Sequence, residues 1–152
     1  MTSPYRAVVD QVVTWISQEI PESADWTFYV EEPLTLQGTG CAVWWERDDA
    51  RPEGNTTFTL GGWALFEDTY GIRYWTPAPE QARLTLSEEA LALMEQTITD
   101  VRNVLFNHTT DLPAPNGELS YRGASKFMSH VADIDFRGFE IAFSVPRRID
   151  YT

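Results

Sequence analysis

The chain has 152 residues, 43% of them hydrophobic and 13% aromatic, enough apolar material for one domain, taken as 1–152, to build a core without a metal or disulfide. A net charge of −12, from 23 acids against 11 bases, argues against a protein that wraps nucleic acid by neutralising phosphates. Cys41 is the single cysteine, which excludes an intrachain disulfide, a cysteine zinc cluster and a thiol redox pair. The start, "MTSPYRAVVDQVVTWIS", has no basic stretch ahead of an apolar core, and no run approaches the length of a membrane span. The chain therefore reads as a soluble intracellular product with no membrane partner.

Ser3 and Pro4 form a helix start, a hydroxyl cap with proline in the first turn, and apolar residues recur at Tyr5, Val8, Val9, Val12, Ile16 and Ile20 until Pro21 stops the helix. From Trp26 to Thr76 the period becomes two, with strands expected at "WTFYVEE", "GCAVWWE", "TTFTLGGWALFE" and "GIRYWT". Cys41, Val43 and Trp45 fall on one strand face and Trp44 on the other, so one of the adjacent tryptophans is expected under a helix and its neighbour on the outer face. "RDDARPEGN" reads as a polar hairpin loop carrying Asp48 and Asp49, and Gly61-Gly62 as a bulge or bend.

Thr85 and Glu88 have capping-box spacing, and Leu91, Met94, Ile98, Val101 and Leu105 then step as a second helix. "TTDLPAPNGE" is a loop, and "YRGASKFMSHVADID" is compatible with an extended strand or with a loop containing some helix. In the closing strand Phe139, Ile141, Phe143 and Val145 face a core while Glu140, Ala142 and Ser144 face water. Pro146 is expected to end that ladder, so that Arg147 and Arg148 emerge from it. The order implies an α+β fold, a mixed or antiparallel sheet of about four to six strands packed in two layers against two helices.

Chemistry is sparse. His108 and His130 lack metal-site spacing, and "DID" at 133–135 reads as a solvated strand face. The acids at 46, 48, 49 and 53 do not follow a calcium-loop order, no nucleophile elbow or phosphate loop is present, and Cys41 sits in an apolar run as a buried small side chain. No cofactor or metal is implied. The charge, however, is unevenly placed. Residues 118–152 hold five acids and five bases, so the whole negative excess lies in residues 1–117.

The helix "YRAVVDQVVTWI", the strands around "GCAVWWERDD" and "TTFTLGGWALFE", the long helix "SEEALALMEQTITDVRNVLF" and the closing "FEIAFSVPRR" together resemble the tail terminator (tail completion, minor tail U-type) proteins of long-tailed bacteriophages. The resemblance covers nearly the whole chain in size and element order. It implies a virion protein, synthesised in the host cytoplasm, that forms a hexameric ring at the head-proximal end of the tail, stops tube polymerisation and docks the head connector or stopper. Its partners would be other copies of itself, the tube protein and that connector, with DNA passing through unbound. Arg122, Lys126, Arg137, Arg147 and Arg148, with Asp48 and Asp49, are the residues expected at such contacts. Two other classes compete: a small acidic inhibitor of the DNA-mimic type, and a small α+β enzyme built on His130, Asp133 and Tyr121.

Overall fold

The computed structural model describes residues 3–51, 63–78 and 88–150. Helix α1 spans Pro4–Glu19, and the Ser3 hydroxyl accepts the Arg6 amide at 3.1 Å while Pro4 occupies a position that needs no amide donor. Ile20 is extended and Pro21 opens a short 3-10 turn, Pro21–Asp25, so the helix stops where the proline predicts. The Ser23 hydroxyl donates to the Ile20 carbonyl at 2.6 Å, satisfying an acceptor at that junction. Helix α2 spans Glu88–Asn107, and Thr85 lies outside the described residues. Its apolar stripe is buried only toward the C-terminal end: Val101 and Leu105 are enclosed, whereas Leu91 is 45% exposed. Among the described residues no helix is long and apolar enough to cross a membrane.

The sheet has five strands in the order β1-β2-β3-β5-β4: β1 (Thr27–Tyr29), β2 (Gly40–Ala50), β3 (Trp63–Ala78), β4 (Ser120–Val131) and β5 (Ile134–Asp150). Every pairing is antiparallel except β1 with β2. Both helices cover one face, giving the two-layer α+β arrangement expected from the element order.

Several sequence expectations change at the level of strands. The described end of the third run, Trp63–Glu67, continues into the fourth as one strand, because all 16 residues of β3 find partners on β5, from Trp63 opposite Asp150 to Ala78 opposite Asp135. Gly61-Gly62 lies outside the described residues. Asp48 and Asp49 are not in a loop: β2 continues through them, opposite Asp68 and Glu67, since β3 is long enough to extend the ladder. Pro146 does not end β5 but lies opposite Glu67 within it. Its carbonyl accepts the Gly117 amide at 2.8 Å on the side away from β3. Amide and carbonyl of one strand residue point the same way, so the missing proline donor falls on that outer side and the β3 ladder is unbroken. "YRGASKFMSHVADID" resolves into β4 and a two-residue turn at Ala132-Asp133, where φ is +49° and +66°. Two positive φ values in a two-residue connection match the natural strand twist.

Alternation on the closing strand holds: Phe139, Ile141, Phe143 and Val145 join Cys41, Val43, Tyr70, Ile72 and Tyr74 beneath α1 and α2. The outer face is not uniformly wet. Ala42, Trp44, Trp75 and Phe136 form a second buried cluster there with Leu36. The adjacent tryptophans do part, but the one on the helix side, Trp45, packs on Tyr5 at the start of α1 with 39% exposure, while Trp44 on the outer face is 8% exposed. Trp44 lies directly over Gly71, where a Cβ would come within 2.4 Å of its ring.

Gly138 bears the closest approach in the sheet, since a Cβ there would stand 1.7 Å from the Tyr74 carbonyl oxygen. Backbone cannot give way as a side chain can, so Gly138→Ala is expected to lower stability by about 3 kcal/mol, the upper end of ordinary overpacking. Urea unfolding followed by tryptophan fluorescence measures it, with Ser125→Ala on the exposed edge as the neutral comparison.

Candidate assembly interface

Position 147 continues the helix-facing series of β5, which puts an arginine where the pattern asks for an apolar residue. Arg147 is accordingly buried, 5% exposed, and its Nε donates to Asp68 Oδ2 at 2.8 Å. Its Nη2 donates to the Tyr5 hydroxyl at 2.8 Å, and that hydroxyl donates to Asp48 Oδ2 at 3.1 Å. The guanidinium also lies 4.8 Å from the centre of the Tyr5 ring. Burial opposes its charge, but the hydrogen bond and the charge of Asp68 outweigh that and hold the arginine above its usual pKa. The expectation that Arg147 emerges at a surface is thus corrected: its charge ties the start of α1 to β2, β3 and β5 inside its own subunit.

Arg148 points the other way, as the next residue of a strand must, and is exposed. It donates to Asp150 at 3.0 Å and lies over the Trp63 ring. Arg122 donates to Ser144 at 2.7 Å and pairs with Glu67, to which Ser144 also donates at 2.8 Å. The Ser144 hydrogen bond is the main cause that holds the Glu67 pKa below its usual value, with Arg122 adding to it against the cost of burial. Arg73 bonds Glu140 and Glu32 and stacks over Phe127, beside a groove of about 420 Å³ whose floor includes Trp44, Gly71 and Ala142. Lys126 is exposed on β4, and Arg137 on β5 reaches Met128 Sδ at 3.3 Å. Arg137 and Arg148 are eleven positions apart on one strand, roughly 36 Å at the usual rise, so the basic residues do not form one patch. Asp49 stands exposed near the far end of β2, bonded to Arg47 at 3.1 Å.

The material for an enzyme does not converge. His130 pairs with Asp135 at 2.6 Å and lies 3.9 Å from Asp133 at the tip of the β4–β5 hairpin. Tyr121 lies nine residues back along β4, roughly 30 Å away, and accepts instead from Arg102 at 3.0 Å. His108 is bonded to Asp111 and Glu19 and stacks on Trp15 with ring centres 4.3 Å apart. Burial pulls its pKa down, but the two carboxylates prevail and raise it above 6.5. Among the described residues no group of three or more potential ligands is arranged to hold a metal. Burial pushes the Cys41 thiol up to about 12, which leaves it uncharged.

Asp68 and Tyr5 were not singled out from the sequence as interacting residues. A signal was available: Phe66, Asp68, Tyr70, Ile72 and Tyr74 alternate onto one face, and an acid within an apolar series calls for a buried base.

No family model matches the chain, and no curated protein matches it. Solved structures do. One belongs to the virion of a native gene transfer agent particle, with a TM-score of 0.51 and 16% identity over 91% of this chain and 92% of that one. Another is the sheath/tube terminator of an extracellular contractile injection system, PVC, in its extended state, with a TM-score of 0.52 and 13% identity. That match covers 95% of this chain, which spans 56% of the terminator. At these identities the likeness is one of fold, and it agrees with the resemblance drawn from element order.

Two outcomes follow from these ion pairs. Arg147→Ala leaves Asp68 enclosed without its partner and is expected to cost about 3–5 kcal/mol in chemical denaturation, while Arg147→Met combined with Asp68→Leu recovers most of that loss. A raised histidine pKa stabilises the fold fully below the unfolded value of 6.5, and the contribution disappears as pH rises through the folded value. The difference in melting temperature between the native chain and His108→Gln should therefore be largest below pH 6.5 and close in alkaline buffer; a gap independent of pH would contradict the assignment.

Proposed function

We propose that this chain is a structural protein of a phage-like tail that caps the head-proximal end of the tube as a closed ring of six copies, stops tube polymerisation and offers the docking surface for the head connector. The observation that carries this reading is the fold shared with a sheath/tube terminator over 95% of the chain. The charge distribution supports it. Pro4–Asp25 and Glu88–Asn107, which make up the helical layer, hold eight acids and two bases, and like charge keeps a passing duplex from adhering. A ring subunit must present two unlike surfaces that complement each other, and the division of the chain into an acidic part, residues 1–117, and a charge-balanced part, residues 118–152, is suited to that. The DNA-mimic alternative has less support, because Glu67, Asp68 and Glu140 are engaged by arginines of the same chain rather than displayed.

Gold-labelled antibody against the chain, applied to particles from cells that encode it, is expected to mark the junction of head and tail. Removing the gene should yield tubes of uncontrolled length without heads. Particles that lack the protein altogether would overturn the reading.

A further inference from the structure

The two borders of the sheet are unlike. On β4 every residue from Ser120 to Val131 except Arg122, at a bulge, is paired with β5 on one side, and among the described residues no strand lies on the other. On β2 the short β1 covers only Gly40, Cys41 and Ala42, so Trp45–Ala50 has β3 on one side and, among the described residues, no strand on the other. A groove of about 580 Å³ runs beside Trp44, Trp45 and Glu46, between the start of α1 at Ser3 and Tyr5 and the segment at Val30. Such borders present rows of backbone donors and acceptors that a further strand can satisfy.

We propose that copies of this chain join edge to edge, the outer side of β4 in one copy lying antiparallel along Trp45–Ala50 of the next. The proposal rests on the ring reading only for the number of copies. Direction supports it. Reading across β2, β3, β5 and β4, each strand reverses the one before, so β2 and β4 run oppositely in one subunit. A cyclic operation about an axis along the strands preserves those directions. β4 then meets the next β2 antiparallel, and the alternation continues from copy to copy.

Charge supports it independently. β4 carries Arg122, Lys126 and His130 and no acid, whereas Trp45–Ala50 carries Glu46, Asp48 and Asp49 against Arg47. Pairing β4 with another β4 would bring like charges across the seam, which is unfavourable, while the unlike pairing brings opposite charges together. Two unlike edges make a heterologous contact, the kind that closes a ring. Lys126 and the bulge between Tyr121 and Gly123 also keep the border from accepting strands indiscriminately.

Sedimentation of the whole chain over a range of concentrations, combined with amide hydrogen exchange by NMR, tests this. Association is expected, with slowed exchange at alternate amides of β4 and within residues 46–50, a pattern that a contact through side chains alone does not produce. Lys126→Glu should weaken association about tenfold or more, and adding Asp49→Lys in the same chain should restore it. Both residues are exposed, so the variants should keep the native melting temperature, which is checked first. Protection appearing on the helices instead, a Lys126→Glu chain that associates like the native one, or a chain still monomeric at about 1 mM would each overturn the edge pairing. A ring seen on particles alongside any of these results would leave the proposed function standing and remove only this interface.

Discussion

The pairing of β3 with β5 is the constraint on which the rest of the structure depends. These are the two longest strands, joined along the full length of β3, and all other elements are placed by reference to them. Their contact is close enough that Gly138 has no room for a side chain against the Tyr74 carbonyl. Where the ladder runs beneath the first turn of α1, two polar residues occupy helix-facing positions, and Asp68 and Arg147 resolve that conflict by meeting each other.

The buried pair joins distant parts of the chain. Tyr5 is held through Arg147, at a separation of 142 residues, and through Asp48, so the first turn of α1, the far half of β2 and the last strand form one unit. A buried pair of this kind contributes little net stability compared with apolar packing, but breaking it is costly, which makes it suited to fixing one arrangement of elements. What it fixes is the position of α1 beside residues 45–50 of β2, which among the described residues have no strand on their outer side. The edge available to a second copy and the acidic helical layer are therefore set by the same contact.

Much of the architecture was legible from pattern. Ser3, Pro4 and Pro21 bound α1 as expected, and the alternation of Phe139 through Val145 identified the core face of β5. Strand ends were less legible. Charged residues at Asp48 and Asp49 resemble loop chemistry, and Pro146 resembles a terminator, because local composition does not reveal whether a partner strand continues alongside. Of the residues expected at contacts, Lys126 and Arg148 are displayed, whereas Arg147 is enclosed and Arg122 is bound to Glu67 and Ser144.

By itself the sequence determined the class of fold, the limits of α1 and the uneven division of charge, since these follow from local periodicity, capping chemistry and counting. Only the tertiary structure decided which charges remain available. A carboxylate or guanidinium looks the same in sequence whether it faces water or a partner 79 residues away, and the difference arises when β3 and β5 bring Asp68 against Arg147 while Arg148, one residue on, turns to the opposite face. The same holds for the two sheet borders. An edge is defined by the absence of a neighbouring strand, and that depends on the order in which the strands assemble rather than on the residues of any one of them.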